Sequence, residues 1–131
     1  MFDDLYPHRT FTIRWLAFCD RNGRSRVRDF LDALPETRRR LLNGQMQAFA
    51  DMGWSARAPF LKTMQTTSPH TIYEIKRHQE RVLFVRCSNA AVAIDALTKK
   101  NDWSKKDANR LGAALRLADA AIDAWKLGGW K

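Results

Sequence analysis

Two short apolar runs, Val82–Val85 (VLFV) and Ala91–Ile94 (AVAI), lie near one another with Ser88 and Asn89 as turn formers between them. Apolar runs of that length bounded by polar residues predict a β-hairpin. Ile72–Lys76 alternates apolar and polar positions and predicts a third strand, joined to the hairpin through His78, Gln79 and Glu80. Together they predict an antiparallel meander buried on one face, with the other face open. Upstream, Phe11–Phe18 (FTIRWLAF) is rich in aromatic and β-branched residues and predicts the first strand, closed by the turn formers Asp20, Arg21, Asn22 and Gly23. Ser25 is a candidate N-cap for a helix whose apolar stripe is Val27, Phe30, Leu31 and Leu34. Pro35 closes that helix and, with Glu36, opens a second. Leu41, Leu42, Met46, Phe49 and Met52 are its inward residues and Gly53 its end, so the two helices form a hairpin laid on the sheet. From Trp54 to Pro69, with Pro59 inside, the pattern is irregular and predicts a loop or an edge segment. Ser104 and Asp107 form a capping box ahead of a last helix carrying Ala108, Leu111, Leu115, Ala118, Ile122 and Trp125, which Gly128 and Gly129 terminate.

This order, strand, two helices, three strands, helix, predicts an α+β fold with helices packed on a small, mostly antiparallel sheet. A chain of 131 residues suits a single domain over 1–131, with its core at about 11–126. At 45% hydrophobic and 28% charged it is composed like a folded globular protein. No apolar run approaches the roughly 18 residues of a membrane span, and the start MFDDLYPHR carries no leader pattern, so a cytoplasmic protein without a membrane partner is expected. Cys19 and Cys87 fall in apolar segments with no metal-binding or redox spacing and are expected as free thiols. His8, His70 and His78 share no spacing suited to a metal, and no cofactor is expected. Of these, His78 alone neighbours the predicted meander ends, and a lone histidine beside a turn is ordinarily just exposed.

Charge changes the picture. Lys and Arg number 23 against 14 Asp and Glu, a formal +9, which favours a polyanionic partner or an acidic protein. The open face of the meander is the expected seat of RNA. The run Arg38, Arg39 and Arg40 spans too much of its helix to be inward and is read as a solvated face.

Three stretches resemble a known family. RNGRSRVRDFLDALPETRRRLLNGQMQAFADMGW, IYEIKRHQERVLFVR and AIDALTKKNDWSKKDANRLGAAL are similar to the RelE/HigB superfamily of type II toxins, in particular its phage-derived HigB-like branch. That branch carries a "GRSPV..FL..LP" opening, a "YELR" strand, a "YRVLF" strand and an "F.KK" end followed by a helix. The similarity runs from about Phe11 to Asp119, with the motifs in the same order and at compatible spacings.

The resemblance implies metal-independent cleavage of mRNA, often on the ribosome, by a protein silenced by a cognate antitoxin with a helix-turn-helix domain. In such enzymes the RNA 2′-hydroxyl is the nucleophile. The chemistry calls for a base, an acid, and cations that stabilise the charge developing on phosphorus. Lys76 matches the basic residue closing "YELR" and is implied in proton transfer or phosphate contact. Arg81 matches the arginine of "YRVLF" and is implied as a phosphate clamp. Lys99 and Lys100 match the paired lysines, with Lys100 counted among the catalytic groups. Arg77 and Lys62 are further phosphate contacts. Glu80 and Leu97 stand where the family carries aromatics, so base stacking passes to Tyr73, Trp103 or Trp54. Asp95 stands where a histidine is common and acts as a base or orients a lysine. Glu74 stands where RelE itself prefers lysine. For each of these cations ordinary solvation at a strand end is the competing reading. Two other classes of function stay open: a non-catalytic nucleic-acid-binding module on the same fold, and a phage-derived accessory protein whose basic face meets an acidic partner.

Overall fold

A computed structural model describes residues 2–54, 61–64 and 71–128. Six strands form one open sheet: β1 (Phe2–Asp4), β2 (Arg14–Phe18), β3 (Leu61–Met64), β4 (Ile72–Arg77), β5 (Glu80–Cys87) and β6 (Ala90–Thr98). Their order is β1-β2-β6-β5-β4-β3. Every neighbouring pair is antiparallel except β2 and β6, which run parallel with Leu16 opposite Val92. Helices α1 (Arg26–Ala33) and α2 (Glu36–Met52) lie between β2 and β3, and α3 (Ala108–Lys126) follows a 3-10 turn at Lys105–Asp107. The mixed α+β layout is the expected one. No described helix is long and apolar enough to cross a membrane.

Local chemistry explains most element ends. His78 and Ser88 each take a positive φ of 53°, and each opens a two-residue hairpin loop, where one left-handed residue matches the turn to the twist of the strands. Glu80 therefore belongs to β5 and not to the connection. Ser25 caps α1 by accepting from the Arg28 N–H at 3.1 Å. The Ser104 and Asp107 side chains and backbones satisfy one another as a capping box. At the end of α2, Gly53 has φ 87° and ψ −178°, a conformation that side-chain-bearing residues rarely adopt. The first strand is shorter than the Phe11–Phe18 pattern predicts because Ile13 N–H donates to Ala50 O and Thr12 to Asp51 O, tying this stretch to the end of α2. Leu61–Met64 is an edge strand inside the irregular stretch; Pro59, Pro69, His70 and Gly129 lie outside the described residues.

The sheet is buried on both faces, which overturns the expectation of an open one. One face carries Trp15, Ile75, Val82, Phe84 and Ala93 under Val27 and Leu31 of α1 and Leu42, Met46 and Phe49 of α2. Trp15 also donates its indole N–H to Met46 O at 2.7 Å. The other face carries Leu16, Leu83, Val85, Val92 and Ile94 under α3, whose buried residues are Ala114, Ala118 and Ala121. These small side chains let α3 lie close to the strands, while Leu111, Leu115 and Trp125 flank them half-buried. The expected stripe was therefore rotated: the alanines face the sheet. A strand covered on both sides needs consecutive apolar residues, which accounts for VLFV and AVAI. Open chemistry is left to the rim of the sheet.

Candidate functional site

At one end of the sheet the C-termini of β4 and β6 meet the start of β5, and the segment 99–103 folds over them. Alternation along the strands puts Lys62, Glu74, Lys76 and Arg81 on the α3 side, since Lys62 pairs with Glu74 and Lys76 with Arg81 across neighbouring strands. Tyr73 and Arg77, one residue away on each side, face α2.

Arg81 and Glu74 have fully buried side chains, 0% exposed, with Nη1 3.3 Å from Oε2. The Trp103 indole N–H donates to the same Glu74 oxygen. The other arm of Arg81, Nη2, donates to the carbonyls of Lys99 at 3.4 Å and Asn101 at 3.0 Å. Lys99 N–H in turn donates to Gln79 O at 2.8 Å in the β4–β5 turn. One buried guanidinium thus staples the 99–103 segment to the sheet. A charge removed from water requires partners of this kind, and both guanidinium Nη atoms have them, while Arg81 Nε and Glu74 Oε1 are buried with none among the described residues. The phosphate clamp implied for Arg81 does not fit this geometry, because its guanidinium is enclosed and already engaged.

The other cations lie around that staple, Lys99 with only 15% of its side chain exposed. Lys76 Nζ is 3.7 Å and Lys62 Nζ 3.9 Å from Asp102 Oδ1, with Asp102 itself 74% exposed. Lys99 Nζ bonds Asp107 Oδ2 at 2.8 Å and lies 5.5 Å from the centre of the Trp103 ring. The ammonium of Lys99, and next the Ser104 N–H, hold the Asp107 carboxyl below its ordinary pKa. Lys100 is exposed and has no protein partner among the described residues. Beside them a cleft of about 660 Å³ opens between Lys62 and Thr63 on the β3 edge and Asp102, Trp103 and Lys105 at the start of α3, with Leu111 in its wall. Lysines outnumber carboxylates here, so the cleft suits an anionic chain with apolar or aromatic parts.

The remaining candidates fall elsewhere. Tyr73 belongs to the opposite core, stacked on Phe84 at 5.4 Å and beside Trp54 at 5.5 Å, so neither ring is available to the cleft. Arg77 is half-buried on that same side. Asp95 is 1% exposed and paired with Arg110 of α3 at 3.1 Å, a contact that docks the start of the helix on β6. His78 shapes its turn and is exposed. Three participants were not among the residues singled out from the motifs: Asp102, Lys105 and Arg110. Their signal was the density of charge in KKNDWSKKDANR, which composition alone assigns to a solvated surface.

No curated protein matches the chain. The model of the family described as phage derived protein Gp49-like (DUF891) matches residues 29–119, which includes α2, the four strands β3 to β6 and the start of α3. The chain belongs to this Gp49-like, phage-derived family, a family of RelE/HigB-like toxins.

Proposed function

We propose that the chain is the toxin of a type II toxin-antitoxin system and that its cleft cleaves mRNA without a metal ion. The observation that carries this reading is the meeting of Lys62 and Lys76 at Asp102 of the segment 99–103, which itself carries Lys99 and the exposed Lys100 and which Arg81, Glu74 and Trp103 hold in place. Family membership supports it. In the reaction the RNA 2′-oxygen loses its proton and attacks the adjacent phosphorus, and the bond from phosphorus to the 5′-oxygen breaks. A 2′,3′-cyclic phosphate and a 5′-hydroxyl result.

Each chemical requirement has a candidate. Lys76 and Lys100 contact the phosphate and move protons. Lys62 supplies charge from the facing strand edge, and Trp103 offers a ring at the cleft. Lys99 is committed to Asp107 and Arg81 to the segment carbonyls, so both act by positioning. The RelE-like mechanism, its site on the ribosome and silencing by a helix-turn-helix antitoxin belong to this proposal.

Mapping RNA ends after induction tests it. Wild type is expected to arrest growth and leave 5′-hydroxyl ends, while Lys76→Ala slows cleavage by about 10²-fold or more. A second reading, RNA binding without cleavage, is favoured by the burial of Arg81, which withdraws from the cleft the cation the motif promised. RNA retained at low salt with no new ends would establish that reading instead.

A further inference from the structure

We infer a second nucleotide subsite at the β2–α1 loop, which takes a base and its phosphate from the same RNA strand that enters the lysine cleft; the inference rests on the RNA reading above. A pocket of about 270 Å³ there has Phe18, Ile94 and Leu117 as apolar floor and Arg24, Arg26 and Asp29 at its rim. Arg24, Arg26 and Asp29 are exposed, and their side chains have no protein partner among the described residues. Asp20, also at the rim, is spent on its own turn, accepting from the Asn22 and Arg24 N–H groups at 2.9 Å each. An apolar floor suits the flat face of a base, two uncommitted guanidinium groups suit a phosphate, and a free carboxylate accepts from an amino group on a base edge.

Topology connects the two sites. Because β2 and β6 run parallel with Ala17 opposite Ala93, the loop after Phe18 opens toward the end of the sheet where β6 delivers Lys99. From Ala93 to Lys99 the strand advances roughly 20 Å at about 3.3 Å per residue, a reach of a few nucleotides. Arg110 stands between, paired to Asp95 and 42% exposed. It shares a face of α3 with Leu117, two turns on, whereas Leu111 faces the lysine cleft. The strand would pass around the first turn of α3, over the exposed Lys105 and Lys106.

Affinities for a single-stranded RNA of four nucleotides and one of twelve, measured on wild type and on Arg24→Ala/Arg26→Ala, test this. The double variant is expected to bind the longer RNA about tenfold more weakly and the shorter one as wild type does, and its salt slope for the longer RNA falls by about 0.7, the share of the one phosphate lost. The two side chains are exposed, and an unchanged melting curve shows that the fold is intact. Equal losses for both lengths, or no loss for either, would overturn the subsite while leaving the lysine cleft standing. A wild type that binds neither RNA sinks the RNA reading and the subsite with it. Loss of binding to an aspartate-rich peptide, with RNA affinity unmoved, would assign the pocket to a protein partner instead.

Discussion

Arg81 follows a polar turn and precedes an apolar run, a sequence position that normally places arginine in water. Its burial depends on a segment some twenty residues away, Lys99 to Trp103, folding over it, and no local pattern reports that. The positions of Lys76, Lys99 and Lys100 at or just beyond strand ends were legible from the strand pattern, whereas Lys62 lies within β3, a strand the irregular stretch did not announce. The cost of a mistake at Arg81 is measurable. Arg81→Ala leaves Glu74 buried without its counter-charge and is expected to lower stability by about 3–5 kcal/mol, whereas Glu74→Leu with Arg81→Met removes both charges and costs less. Urea denaturation of the two variants separates these outcomes; equal losses would mean that the pair is not coupled. Asp102 acts in the opposite sense. Its exposed carboxylate lies between Lys62 and Lys76 and competes with a phosphate for both. An exposed pair is worth at most about 1 kcal/mol, so Asp102→Asn is expected to tighten RNA binding by about two- to fivefold at low salt. Weaker binding by that variant would show that Asp102 orients the lysines and does not compete for the anion.

Among the elements, the helices and the three-stranded meander could be read from periodicity, and their caps from Ser25, Gly53 and the Ser104–Asp107 box. The covered second face could have been read as well, since VLFV and AVAI lack the polar alternation of a half-exposed strand. The alanines of α3 obscured it: the stripe read from the sequence includes Ala118 but misses Ala114 and Ala121, which face the sheet beside it because they are small. The parallel β2–β6 pairing and the Phe2–Asp4 strand left no local signature, because both depend on contacts between distant segments. Gly53 was legible as a stop, and its role is conformational. A Cβ there would meet Thr12 Cγ2 at 3.5 Å, an ordinary contact, so space is not the constraint. Gly53→Ala is therefore expected to cost about 1–3 kcal/mol through backbone strain alone. A midpoint of thermal unfolding unchanged by this substitution would show that the end of α2 relaxes freely.

At the scale of the molecule, a formal charge of +9 states that an anion is attracted and says nothing of where it sits. The fold divides that charge by face. Arg38 and Arg40 lie exposed on α2, across the sheet from the lysine cleft, whereas Lys62 and Lys105 line the cleft, Lys76 reaches Asp102 in its wall and Lys100 is exposed on the segment that carries Asp102. Salt dependence distinguishes a delocalised field from a site. Single-stranded RNA held by these four lysines should lose affinity with a slope of about −3 in log K against log salt, since each neutralised phosphate contributes about −0.7. Substituting Lys62 or Lys100 by alanine should make the slope shallower by about 0.7 each. Removing Arg38 and Arg40 together, an equal or larger change in net charge, should leave it where it was. Were the α2 pair to matter as much as the cleft lysines, RNA would be answering to the overall charge of the molecule, and the cleft would lose its claim to be the place where cleavage occurs.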